Sequence, residues 1–250
     1  MAEMQHTAAA RAAAARLLAL DTASGQCSVA LLVGDRLMTR AVATARDHAR
    51  LLLPMVDAVL ADAGLRLRQL DGIAFGRGPG SFTGLRIAAA VTQGLAAGSD
   101  LPVLPVSDLR ALALTARGAV EPPRGSRVLA CMDARMGELY WGLFGIAAEL
   151  PGEALGGERL SPPARLLEEV RHLLPAGGII AAAAGRGLEA YPVIAAGLGI
   201  EPAHCLGQAE PSAGEIARLA ACDLAAGARW LPAEAAQPVY VRDRVAQEPL

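Results

Sequence analysis

Aromatic side chains are scarce in this 250-residue chain: Phe, Tyr and Trp together make up 3% of it, although 53% of its residues are hydrophobic. The core must therefore be built from Ala, Leu and Val, whose small side chains let helices approach closely. Excess positive charge is missing too, with a formal net charge of -2 and a sequence pI near 6.1. Such a balance leaves no basic footprint, so a nucleic acid would have to be held mainly by a partner. Cysteine is sparse, and Cys27, Cys131, Cys205 and Cys222 form no C-x-x-C pair. That spacing argues against a metal knuckle, a redox pair or a secreted disulfide framework and leaves buried free thiols as the expectation. No run approaches the roughly 20 uncharged apolar residues of a membrane span. The Ala-rich start, interrupted by Arg11 and Arg16, is too polar for a secretory signal. These absences predict a cytoplasmic protein with no membrane contact and a dispensable, poorly ordered extension over 1–16.

What the chain does have is a concentration of backbone demands in Gly76-Arg77-Gly78-Pro79-Gly80-Ser81-Phe82-Thr83-Gly84-Leu85-Arg86. The glycines permit left-handed backbone and close approach to a neighbour, and Pro79 stiffens the middle. Ser81 or Thr83 can cap a helix beginning near Gly84, whose amides and dipole would favour an anion or a partner. A tight strand-to-helix connection without any ligand accounts for the glycines equally well. Neither phosphate-loop pattern is met: G-x-x-x-x-G-K-[ST] needs a Lys, absent from this stretch, and G-x-G-x-x-G is only approximated by Gly76, Gly78 and Ser81.

Before this loop, three apolar runs over 17–23, 27–33 and 36–43 are separated by Ser24-Gly25-Gln26 and Gly34-Asp35, the pattern of an antiparallel meander. Asp21, Thr22, Ser24 and Ser28 gather at its first turn, able to receive a phosphate or to form an ordinary polar turn. A helix follows over 51–63, with Pro54 inside it or in its first turn and Gly64 as its stop. Leu52, Val56, Val59 and Ala63 share one face, and Leu51, Met55, Ala58 and Leu65 widen it beyond the stripe of a surface helix. Such a face serves either a partner chain or a helix deeply buried in a monomer. His48 has no nearby ligand, which favours a core or capping role. A strand over 71–75 feeds the glycine-rich loop; a small-residue helix over 85–97, a strand over 101–106 and a helix capped by Ser107 complete the order of one lobe of the actin and sugar-kinase architecture. Residues 118–125 read as a linker. Beyond it, strands over 127–133 and 138–146 repeat the opening hairpin in degraded form around a charged turn, Asp133 to Glu138, expected to be salt-bridged. A helix over 163–174, a strand over 179–184, a helix over 211–226 with Ser212 and Glu215 at capping-box spacing, and a late strand or docking segment over 238–242 end the series.

Taken together, Leu18-Ala19-Leu20-Asp21-Thr22-Ala23, His48 before Pro54, the loop Gly76 to Arg86, Asp133-Ala134-Arg135-Met136-Gly137-Glu138 and Pro238-Val239-Tyr240-Val241-Arg242 resemble the TsaB (YeaZ) family, over about 17–246. The resemblance implies an α/β fold of the actin-like, sugar-kinase-like class, with two lobes of ribonuclease-H-like topology placed at 17–117 and 118–250, the C-terminal segment docking back. It implies a noncatalytic subunit acting with a TsaD homologue and the ATPase TsaE. That complex moves threonylcarbamoyl from its adenylate to adenosine 37 of tRNAs reading ANN codons, and tRNA is touched only through it. The interface with TsaD, or with a second copy in a homodimer, is expected at His48, Leu52, Met55, Val56, Val59, Leu60, Ala63, Phe82, Arg86, Ile87 and Ala90. No resident cofactor is implied, though Asp21, Thr22, Ser24, Gly78, Gly80 and Ser81 remain a candidate site for weak nucleotide or phosphate binding. The metal-holding His-x-x-x-His pair of TsaD-type relatives falls at Asp108 and Leu112, and a Leu cannot ligate.

Two rivals remain: an autonomous small-molecule kinase or metallohydrolase of the same fold, and a purely structural self-associating protein. ATP turnover by the isolated chain separates the first, and a stable homodimer without affinity for TsaD the second. Metal analysis after purification without added metal should find no stoichiometric iron or zinc. On the interface reading, Met55→Glu or Val59→Glu should break both complexes and leave the fold intact, as gel filtration and pull-down would show.

Overall fold

The computed structural model describes residues 15–121, 123, 125–147, 150–175 and 177–241. Its first strand, β1 (Arg16–Asp21), carries Leu17, Leu18, Ala19 and Leu20, all wholly buried. An unbroken apolar run of this kind suits a strand covered on both faces. β2 (Gln26–Val33) and β3 (Arg36–Ala43) complete the predicted meander, each antiparallel to the strand before it, with Leu18 opposite Leu31. Helix α1 (His48–Ala63) ends, as expected, at Gly64 in the left-handed region, and Pro54 sits inside it. Then come β4 (Gly72–Gly76), α2 (Phe82–Ser99), β5 (Val103–Val106) and α3 (Asp108–Gly118). β4 runs parallel to β1 and β5 parallel to β4, so the sheet order is β3-β2-β1-β4-β5.

The second sheet is built from β6 (Arg127–Asp133), β7 (Leu139–Ala147), β8 (Leu150–Ala154), β9 (Arg159–Ser161), β10 (Ile180–Ala184) and β11 (Cys205–Leu206). Helices α4 (Pro163–Leu173), α5 (Arg186–Ala190) and α6 (Val193–Gly197) are inserted in this series, and α7 (Ala213–Ala225) follows it. Its order is β11-β10-β6-β7-β8, with β9 also paired to β7. Here β6 and β7 form the hairpin while β10 and β11 add in parallel, so the succession of the first sheet recurs. Two sheets of ribonuclease-H-like order place the chain in the actin-like, sugar-kinase-like class. The repeat is degraded where its last strand shrinks to two residues.

The chain divides into two compact units, and the division departs from the sequence boundaries. One unit holds 15–111 and 210–238 of the described residues, the other 112–209 and 239–241. The break falls inside α3, not in the linker over 118–125. Helix α7 belongs to the first unit because it packs on β1, β2 and β4, with the Ala213 amide donating to Ser28 Oγ at 2.9 Å. Arg110 also grips Asp223 of α7 through two bonds of 2.6 and 2.8 Å. Residues 238–241 form no strand, and Arg242 and 1–14 lie outside the described residues. Ala15 and Arg16 are not part of an extension, since Ala15 is buried and Arg16 opens β1. Of the cysteines, Cys27 and Cys131 are buried as expected, but Cys205 is half-buried and Cys222 exposed.

The face of α1 also differs from the interface expectation. Leu52, Met55, Val56, Val59 and Leu60 pack with Leu18, Leu20, Val29, Leu31, Ile73 and Phe75 in the core of the first unit. The width of its apolar face reflects burial within the chain, so Val59→Glu cannot leave the fold intact. Val59 is 1% exposed, and an unpaired carboxylate there should lower stability by about 3 kcal/mol or more in urea titration. Leu53→Glu, at a position 45% exposed on the same helix, should change it by less than about 1 kcal/mol.

Candidate functional site

Parallel pairing brings the C-terminal ends of β1, β4 and β5 to one edge of the sheet, the place where open α/β sheets gather their functional groups. Leu20 lies beside Phe75, and Gly76 beside Val106. Asp21 and Thr22 therefore emerge next to the start of the glycine-rich loop, and Asp108 enters the same edge from the N-terminus of α3.

Hydrogen bonds at Arg77, Gly78, Ser81 and Gly84 fasten the loop to this edge. The Arg77 amide donates to the Val106 carbonyl at 2.9 Å, and the Gly78 amide to Asp108 Oδ2 at 2.5 Å. The Ser81 amide donates to the Ala23 carbonyl at 2.7 Å, while Thr22 Oγ1 donates to the Gly84 carbonyl at 2.7 Å. Ser81 caps α2 by accepting from the Gly84 amide at 3.4 Å, so the helix begins at Phe82, slightly earlier than predicted. A Cβ on Gly84 would overlap the Thr22 carbonyl oxygen, and one on Gly80 the Ala23 carbonyl oxygen. Glycine is required here by close approach of backbone to backbone.

The candidate phosphate residues are thus brought together, but the Thr22 hydroxyl and the Gly78 and Ser81 amides are directed inward. Asp21 and Thr22 are wholly buried, Asp21 Oδ1 accepts from the Ala23 amide at 2.8 Å, and Ser24 Oγ accepts from the Gln26 amide at 3.3 Å. The Gly78 and Ser81 amides, expected to face a phosphate, hold the loop instead. Burial pushes the Asp21 carboxyl up to about 7, with the nearby Glu210 charge adding to the rise; the Ala23 amide and a hydrogen bond with Asp108 oppose it. Asp108 entered the sequence reading only as the counterpart of a metal ligand. Its position just after a strand and a capping serine was the signal for a second carboxyl at this edge. Asp108 and Leu112 are both wholly buried, and among the described residues no three His, Cys, Asp or Glu side chains cluster closely enough to hold a metal.

The expected interface residues separate into two groups. His48 is buried at the start of α1, where burial lowers its pKa against the pull of Asp47, and Leu52, Met55, Val56, Val59 and Leu60 are core residues. Ala63 and Ile87 are half-buried. On α2 the outer side is open: Phe82 is 39% exposed under the Arg86 guanidinium, 3.9 Å from its ring centroid, and Ala90, Gln93, Gly94 and Ala97 continue the exposed side. Apart from the backbone of its own helix, nothing among the described residues lies within 4 Å of where a Gly94 Cβ would be. In the second unit the turn after β6 is salt-bridged as expected, Arg135 Nη1 lying 3.3 Å from Asp133 Oδ2.

Because the Gly84 contact is with rigid backbone, Gly84→Ala should destabilise the chain by on the order of 2–4 kcal/mol in chemical denaturation. A change of a few tenths would contradict this geometry.

The family model for TsaD, tRNA N6-adenosine threonylcarbamoyltransferase, matches residues 42–229. The chain is 36% identical over 238 residues to the tRNA threonylcarbamoyladenosine biosynthesis protein TsaB of Escherichia coli, covering 94% of this chain and 98% of that protein. Against the Haemophilus influenzae protein of the same description it is 51% identical over 126 residues, about half of this chain and 52% of that protein. Among solved structures, YeaZ from Pseudomonas aeruginosa superposes with a TM-score of 0.75 at 39% identity, covering 90% of this chain and 99% of the other. A second P. aeruginosa structure, of a protein described as similar to peptidase YeaZ, reaches 0.78 at 40% identity over 91% and 100%. On this agreement of sequence and structure over nearly its whole described length, the chain belongs to the TsaB (YeaZ) family, within the wider group that the TsaD model describes.

Proposed function

We propose that this chain takes part in bacterial tRNA threonylcarbamoyladenosine biosynthesis as a noncatalytic cytoplasmic subunit. In this reading it pairs with a TsaD homologue and, with the ATPase TsaE, supports transfer of threonylcarbamoyl to adenosine 37, forming a homodimer when alone. Near-complete coverage of the E. coli TsaB protein carries the reading. The inward-facing donors at the strand edge favour a noncatalytic role over a kinase or hydrolase, since a phosphoryl-transfer site needs amides and carboxylates free to meet phosphate and metal.

The partner face lies on the outer side of α2. A glycine inside a helix costs roughly 0.5–1 kcal/mol relative to alanine, and among the described residues none outside its own helix backbone comes close enough to the Gly94 Cβ position to require a glycine there. Small residues at Ala90, Gly94 and Ala97 admit a neighbouring helix, with Phe82 as an aromatic anchor at one end. Gly94→Glu should therefore keep or raise thermal stability while weakening association with the TsaD homologue at least tenfold, about 1.4 kcal/mol, in titration calorimetry. Unchanged affinity would place the interface elsewhere. The function itself is tested by reconstitution with the TsaD homologue, TsaE, threonylcarbamoyl-adenylate and tRNA: omission of this chain should abolish modification, and full modification without it would refute the assignment.

A further inference from the structure

Asp21 and Asp108 are both fully buried, one at the end of β1 and the other at the start of α3. Their carboxyl groups converge over Gly76, where an added Cβ would overlap Asp108 Oδ1 and come within 2.8 Å of Asp21 Oδ1. Asp21 Oδ2, buried beside them, takes no hydrogen bond from any described donor. Carboxylates are acceptors only when ionised, so two buried carboxyls converging in this way can bond to each other only if one of them keeps a proton. We infer that Asp21 and Asp108 share one proton at neutral pH, and that this proton is a pH-sensitive clasp joining β1 to α3 and steadying the glycine-rich loop.

The surroundings favour retention of that proton. From β2 comes the Cys27 thiol, pushed up to about 11 by burial and the Asp21 charge, and therefore neutral. From the segment leading into α7 comes Glu210, a further negative charge. β4 presents Gly76, with no side chain, and the loop presents the Gly78 amide, which donates to Asp108. Of the two arginines on α3, Arg110, the one in its first turn, is directed to Asp223 by its paired bonds. Loss of the proton leaves two buried negative charges in contact, and like charges at such separation cannot both ionise without cost. The Gly78 amide ties the pair to the loop, so separation of the carboxyls would pull on the same backbone that holds Ser81 to Ala23.

The sign of the pH dependence follows from linkage. The folded Asp21 carboxyl titrates near 7 and the unfolded one near 3.8, so the folded state holds more protons between those values. Stability from this pair is fully present below the lower value and is lost as pH rises through the upper one. Carboxyl carbon NMR of the aspartate-labelled chain between pH 4 and 9 should show one buried aspartate titrating near neutrality in the wild type. In Asp108→Asn, whose amide can donate to an ionised Asp21, that transition should move below pH 5 or vanish. The decline in Tm from pH 5 to pH 8 should also shrink by several degrees relative to wild type. Two aspartates both ionised at pH 6 in the wild type would overturn the inference, as would a variant keeping the full decline; if the variant does not fold, the wild-type titration decides alone.

Discussion

The hydrogen bond from the Ser81 amide to the Ala23 carbonyl is the join on which the first unit depends. It ties the end of β1 to the start of α2, elements some 60 residues apart in sequence, and it works only because no side chain separates the two backbones at Gly80 and Gly84. The Thr22 hydroxyl repeats the join one step along, on the Gly84 carbonyl. The buried β1 can then sit between β2 and β4 with Asp21 Oδ1 and the Thr22 hydroxyl hydrogen-bonded inside the protein, as most buried polar groups are. The direction of α2 follows from the same contacts, which turn the side carrying Ala88 and Ala89 onto the sheet and leave Phe82, Arg86 and Ala90 outside.

Much of this was legible in the residues. Alternation of Gly/Asp turns with short apolar runs marked the meander, Gly64 marked the end of α1, and a cap at Ser81 or Thr83 placed the start of α2 within a turn. The repeat in the second half was visible because its hairpin keeps the same apolar spacing. Of its later strands β10 was marked over 179–184, whereas β8, β9 and β11 were not; β9 has three residues and β11 two, too few for a period to register. The membership of α7 in the first unit was invisible for a different reason. It rests on contacts such as Ala213 with Ser28, across 185 residues, that local pattern does not encode.

The candidate site shows a sharper limit. The residue pattern singled out the loop and the hydroxyl-rich turn as candidates but could not tell whether their amides faced outward or toward each other. That choice is made by the close approach of backbone at Gly80 and Gly84, where a Cβ would overlap the Ala23 and Thr22 carbonyl oxygens. Helix α1 shows the same limit, since a wide apolar face looks identical whether a partner or the chain's own sheet covers it. Burial of Val56 and Val59 on β2 decides for the sheet, and the open side of α2 passes instead to the partner reading. The result is a strand edge of the kind that holds ligands in related architectures, closed here by the protein's own amides and carboxyls.

That closure is the central claim, and titration of the isotope-labelled chain with Mg-ATP, followed at the Gly78 and Ser81 amide resonances, tests it most directly. The account predicts that both signals stay in place at millimolar nucleotide. Saturable shifts of both, with loss of the bonds to Asp108 and Ala23, would contradict it.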